Sequence, residues 1–359
     1  METRITKLLD IAVPIVQAPM AGTSTPALAA AVSNSGGLGS LGLGACSPDE
    51  AAKMIAETRQ LTNQPFNLNF FVHERPIRDI AKEVAWLDTI RPFFDEYETE
   101  QPTALSENLT SFNIDDDMFE VVMELKPAVV SFHFGLPSSS RASALKEYGA
   151  FLISTVTNRD EALKAVQSGM DAVVAQGFEA GGHRGTFSTP FEDGYITTMA
   201  LIPLIVETID LPVIAAGGIM NGNGIAASLA LGASAVQMGT AFVSTHESAA
   251  NKAYRDFLLS DRAFKTEITN VISGRPARAL INRFTDELRI HDRNTPGYPM
   301  TYEASKALNT AASAKGSHEF MPMWAGQGAG LSRPMAASDL MKRLLQETNE
   351  VIGQLKNIY

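Results

Sequence analysis

The chain has 359 residues, enough for two domains or for one large barrel with insertions. Its 29 Lys and Arg against 40 Asp and Glu leave a net charge of −11, which argues against a binder of nucleic-acid phosphates or of anionic membrane surfaces. Hydrophobic residues make up 45%, which excludes a disordered chain, and the single cysteine, Cys46, leaves no partner for an internal disulfide.

The N-terminal METRITKLLDI lacks the apolar segment of a secretory leader. The most membrane-like run, residues 225–243, is interrupted by Ser228, Gly232, Ser234, Gln237 and Thr240 and reads as a helix, a break and a buried strand. A soluble, cytoplasmic protein is expected. The first candidate strand, 15–20, ends Gln17-Ala18-Pro19-Met20-Ala21-Gly22, where Pro19 stops pairing and Gly22 allows a tight turn or a flat ligand. The second, 38–43, precedes Ser47-Pro48-Asp49-Glu50, a Ser cap with Pro and Glu in the first turn of a helix. Cys46, just before that helix, is expected to be structural.

The third strand, 66–71, carries Asn67 and Asn69. One of the two is expected on the wrong side for the interior, with Asn69 nearer the strand end; a buried amide there needs a ligand edge or a backbone partner. Residues 73–117 are charged and polar and read as a helical excursion, with Asp115-Asp116-Asp117 as a solvated helix start. The fourth strand, 128–134, ends at His133 between two Phe residues, which suits either a core histidine or a pocket residue. The fifth is 151–156, followed by the helix start Asn158-Arg159-Asp160-Glu161.

The sixth strand, 171–177, opens onto Phe178-Glu179-Ala180-Gly181-Gly182-His183-Arg184-Gly185. Its glycines free the backbone, and nothing structural requires an imidazole there, so His183 is the leading functional candidate. Helices at 197–210 and 221–231 flank the seventh strand, 212–218, and precede the eighth, 235–242. These two strands end in Gly217-Gly218 and Gly239-Thr240, the position of the phosphate cradle in (β/α)8 barrels.

Eight such units predict a (β/α)8 TIM barrel of residues 1–72 and 118–245, with an open doubly wound sheet as the alternative. Residues 246–359 show helical stretches at 247–259, 302–313 and 336–355 and no pattern for a sheet. They are expected to form a mainly helical region over the barrel mouth, covering the substrate. Metal-ligand spacings, a nucleophile elbow and a P-loop are absent from the sequence.

Several segments resemble the nitronate monooxygenase (2-nitropropane dioxygenase-like) family, class I bacterial type. They are Ile15-Val16-Gln17-Ala18-Pro19-Met20-Ala21-Gly22, the Gly-Gly-His-Arg-Gly loop, Pro212-Val213-Ile214-Ala215-Ala216-Gly217-Gly218-Ile219, Ser273-Gly274-Arg275-Pro276-Ala277-Arg278 and Trp324-Ala325-Gly326-Gln327-Gly328. The resemblance implies an FMN-dependent barrel that oxidises alkyl nitronates with O2 to a carbonyl compound and nitrite without NAD(P)H. Propionate 3-nitronate is the implied substrate.

By the same resemblance, Met20, Asn69, Gln176, Gly181, Gly217, Gly218, Gln237, Met238, Gly239 and Thr240 bind FMN, and Gln327 covers it. His183 is the implied base for a neutral nitroalkane, or it orients a preformed anion. His133, Tyr298, Tyr302 and Lys306 line the substrate side, Lys306 offering a charge for a carboxylate or sitting solvated on its helix. The expected partners are the nitronate and O2, with no nucleic acid or membrane, in a monomer or homodimer. An FMN-dependent NAD(P)H:quinone or enoyl-thioester reductase of the same superfamily is the alternative. A non-catalytic flavin sensor and a flavin-free phosphosugar barrel are further ones.

Overall fold

The structure, a computed structural model, describes residues 1–188 and 194–356. Its strands are β1 (Ile15–Gln17), β2 (Gly39–Gly42), β3 (Phe66–Phe71), β4 (Val129–His133), β5 (Phe151–Val156), β6 (Ala172–Gln176), β7 (Gly182–His183), β8 (Val213–Ala216), β9 (Ala235–Met238), β10 (Thr266–Thr269) and β11 (Ala277–Leu280). Eight of them form one parallel sheet in the order β1-β9-β8-β6-β5-β4-β3-β2. Leu38 bridges Val16 in parallel, donating to the Ile15 carbonyl and accepting from Gln17, both at 2.9 Å, so the sheet closes into a (β/α)8 barrel.

The continuous apolar runs end up buried on both faces, as parallel strands under helices require. At the N-terminal end, Val16, Leu38, Val129, Ile153, Val174 and Ile214 share a core with Ile5 and Leu9, so helix Arg4–Leu9 plugs the barrel floor. The helix caps act as their sequences suggest: Ser47 with Glu50, Asn158 and Asn221 each hold the first turn of a helix. Asp115 caps Asp116–Leu125, whose Asp116 pairs with Arg141. β1 is shorter than the 15–20 expected. Ala18 makes the last ladder bond, to Met238, and Pro19 has no N–H to continue it.

Two findings correct the expectation for residues 246–359. A sheet does form there: β10 pairs antiparallel with β11, and β11 pairs with β7, placing Ala277 opposite His183 and Arg278 opposite Gly182. These strands are too short and too mixed in polarity to leave a period-2 signal. The last helix, Ala337–Lys356, lies outside the barrel rather than over its mouth. It packs against Pro26–Asn34 and Gly222–Ala230, burying Leu340, Met341 and Leu344 beside Ile225, and so completes the outer helical ring.

The excursion between β3 and β4 does reach the mouth. Helix Ile80–Glu96 buries Trp86, Ile90, Phe93 and Phe94 against Met300, Leu308 and Phe320 of the region after the barrel. Together these segments wall one side of the C-terminal face.

Candidate active site

A cavity of about 700 Å³ opens at the C-terminal ends of the barrel strands. One end is built from the turns after β8 and β9. Gly217 and Gly218 have φ of 125° and 68°, conformations open to glycine. A Cβ on Gly217 would come within 2.6 Å of Thr198 Oγ1, and one on Gly218 within 3.1 Å of Glu179 Cβ. The N–H groups of Gly218, Gly239 and Thr240 have no acceptor among the described residues. Thr240 Oγ1 accepts from Gly326 N at 3.0 Å, which leaves its hydroxyl proton to give. The neighbouring Glu179 carboxylate is engaged by Thr198 N and Oγ1, both at 2.8 Å. Unspent donors gathered at these two turns are the chemistry of a phosphate cradle.

The floor of the cavity carries amides. Asn69 Nδ2 donates to Ser131 Oγ at 2.8 Å, leaving its oxygen for a ligand, and Gln237 has no side-chain partner among the described residues. Asn67 corrects the sequence reading: it also points inward, bonded to Ser40 Oγ at 3.2 Å, because residues two apart on a strand share a face. It lies one layer deeper, away from the cavity lining. Gln176 is largely spent inside the protein. Its Nε2 donates to the His183 carbonyl at 3.0 Å, and its Oε1 accepts from Arg184 at 3.0 Å and from Gly185 N at 2.9 Å. Gln176 therefore shapes the loop that carries His183.

His183 and His133 share one wall. His183 Nε2 lies 2.9 Å from Ser273 Oγ, and His133 Nε2 lies 3.2 Å from the His183 carbonyl. The Trp324 ring is 5.0 Å from the His183 ring and Tyr298 is 5.6 Å away. Burial first, then the neighbouring His133 and the Arg275 guanidinium, push the His183 imidazole down to about 3. Burial and Arg275 likewise lower His133 to about 3. Both rings are neutral at physiological pH. Burial drives the Tyr298 phenol well above its usual range, and its buried hydroxyl has no protein partner. Tyr302 and Lys306 stand at the outer rim, with the Lys306 ammonium 4.6 Å above the Tyr302 ring and no ion-pair partner among the described residues.

The cavity gathers Met20, Asn69, Gln176, Gly181, Gly217 and Gly218. It also gathers Gln237, Gly239, Thr240, His133, His183, Tyr298, Tyr302 and Lys306. Two residues expected at the cofactor keep their side chains out of the cavity lining. Met238 alternates outward and is 1% exposed among Ile15, Phe242 and Leu340. Gln327 is pinned by its backbone N–H to the Glu179 carbonyl at 2.9 Å, but its side chain is exposed and outside the lining. Sequence reasoning missed the supports of His183. Ser273 and Arg275 stand in a recognisable motif, but only the pairing of β11 with β7 reveals that the motif meets the His loop.

The nitronate monooxygenase family model matches residues 2–347. The chain belongs to this family. The family is one of flavin-dependent oxidoreductases, and the cradle and free amides described above fit a flavin. The chain is 50% identical to the nitronate monooxygenase of Paraburkholderia phytofirmans, over 97% of this chain and 96% of that one. It is 49% identical to that of Pseudomonas aeruginosa, over 97% and 99%. The nitroalkane oxidase of Streptomyces ansochromogenes matches with a TM-score of 0.89 and 37% identity, covering 98% of this chain and 99% of the other. FabK from Thermotoga maritima matches with a TM-score of 0.78 and 32% identity over both full lengths. Among the described residues, no helix is long and apolar enough to cross a membrane and no acidic, His or Cys group could hold a metal ion.

Proposed function

We propose that the chain oxidises alkyl nitronates with O2 to a carbonyl compound and nitrite, using FMN and no NAD(P)H. Propionate 3-nitronate is the proposed substrate. The carrying observation is a neutral imidazole, His183, on the wall of a cavity that runs into a phosphate cradle, in a chain of this family. Bound FMN would supply the one-electron transfer and the reaction with O2.

The residues then divide the work. Gly218, Gly239 and Thr240 would hold the phosphate, while Asn69 and Gln237 would offer amides to the ring edge. Tyr298 would line the substrate side with its ring, and Lys306 has an ammonium for a carboxylate at the rim.

An imidazole lowered to about 3 is a weak base for a C–H proton, so the anion enters preformed. Ser273 then sets what His183 does. The Ser273 hydroxyl can donate to the Arg275 carbonyl, 3.1 Å away, or to His183 Nε2. When it donates to Nε2, the imidazole proton sits on Nδ1, the nitrogen without a protein partner, and can bind the nitronate.

In this reading, residues 73–117 and the part of 246–359 before Ala337 cover the substrate. The chain acts in the cytoplasm as a monomer or homodimer, with no nucleic-acid or membrane partner. The test is oxygen uptake and nitrite release by the purified chain given propionate 3-nitronate without nicotinamide. A yellow protein that consumes oxygen and releases nitrite supports the reading. A yellow protein that is inert to nitronates but bleached by NADH overturns it in favour of a reductase, the reading the likeness to FabK would then carry.

A further inference from the structure

Behind the His183 wall lies a charge that the cavity itself does not contain. Arg275, 2% exposed, stacks its guanidinium 4.1 Å above the ring of Phe134 and donates to the Thr186 carbonyl. Phe134 is held at φ 76°, an uncommon backbone conformation for a bulky residue. That conformation turns its ring into the hub of the wall: His133 lies 4.5 Å from it, Tyr298 5.3 Å and His183 5.5 Å. A cation on one face of this ring cluster acts through buried, low-dielectric surroundings.

We propose that Arg275 is a fixed positive charge behind this site, a positioning residue that makes the cavity favour a monoanionic ligand over a neutral one of similar size without touching either. The inference deepens the nitronate reading and rests on it for the identity of the substrate. The groups facing Arg275 are consistent with that role. His73, His133 and His183 come from three different elements, and each is lowered by burial and by Arg275, so none supplies a charge of its own. Tyr298 is un-ionised. Arg184, also buried, gives its Nη1 to the Gln176 and Gly177 carbonyls and the Gln176 side chain, and its charge likewise acts on His133. Glu161 and Glu74 act on Arg275 from the side, with Glu161 accepting from Thr157 and Phe187. Lys306 and Tyr302 stand at the rim.

The test titrates the flavin-loaded protein with nitrite, a monoanion, and with nitroethane, a neutral molecule, following the flavin spectrum. Arg275→Gln keeps a donor for Thr186 and removes the charge; Arg275→Lys keeps the charge. Arg275→Gln should raise the nitrite Kd about tenfold, leave the nitroethane Kd within about twofold, and be rescued by Arg275→Lys. Equal weakening of both ligands, or no effect on nitrite, overturns the proposal. Should Arg275→Gln fail to fold, the unsubstituted protein decides. Its nitrite Kd should be flat from pH 6 to pH 8; a tenfold rise over that range would assign the charge to a titrating imidazole and overturn it. Neither arm needs turnover, so failure of the nitronate reading shows separately, as a lack of oxygen uptake.

Discussion

His183 Nε2 sits 2.9 Å from Ser273 Oγ, across ninety positions of sequence. The contact exists because β11 pairs with β7, which brings the loop before β11 under the imidazole. Ser273 is fully buried and also accepts from Arg275 N at 3.3 Å, so the hydroxyl is fixed from two sides. Removing it frees the ring to rotate and to change tautomer. Ser273→Ala should lower kcat/KM for a nitronate about tenfold, the scale of one buried hydrogen bond. Flavin content should stay unchanged, since Ser273 lies away from the cradle. Steady-state oxygen uptake checks this, and an unchanged kcat/KM would remove Ser273 from the mechanism.

The cradle makes a separable prediction. Thr240 accepts from Gly326 N and keeps its proton for the ligand. Thr240→Val preserves shape and removes that donor. It should weaken FMN about tenfold, as expected for one hydrogen bond to a charged group, and leave riboflavin, which has no phosphate, within about twofold. Fluorescence titration of the flavin-free protein reads both. Equal losses for the two flavins would move the phosphate elsewhere.

Much of this site was legible in the chain and some was not. Gly217-Gly218, Gly239-Thr240 and the Gly-Gly-His-Arg-Gly loop follow buried apolar runs, so their place at strand ends follows from barrel geometry. Strand alternation turns the Met238 side chain outward, and the same alternation puts Asn67 on the inward face with Asn69. The supports of His183 are long-range. Nothing local in Thr266–Thr269 or Ala277–Leu280 announces a strand whose partner is two residues of an active-site loop. The last helix shows the same limit: its apolar stripe is plain, but which surface it covers is decided by the gap between Pro26–Asn34 and Gly222–Ala230.

His73 makes stability depend on pH. It is 3% exposed, and burial followed by the Arg275 charge lowers it to about 4 from 6.5. Between these values the unfolded chain binds a proton that the folded chain does not. Stability is therefore full above 6.5 and is lost as pH falls toward 4. At pH 5 the loss from this residue is about 2 kcal/mol. Melting of the protein should fall steadily from pH 7 to pH 5, and less steeply in His73→Asn. Equal slopes for the two proteins would show that His73 is not titrating in this range.

The most direct test of the central claim compares two forms of one substrate. Ethylnitronate and nitroethane share a carbon skeleton and differ in a single proton. An imidazole held near 3 cannot remove that proton efficiently, whereas a fixed charge behind Phe134 suits the anion. The kcat/KM for ethylnitronate should exceed that for freshly dissolved nitroethane by about 100-fold or more, the scale of a missing general base. Comparable values for the two would mean that His183 takes the proton itself, and would contradict the entry of a preformed anion.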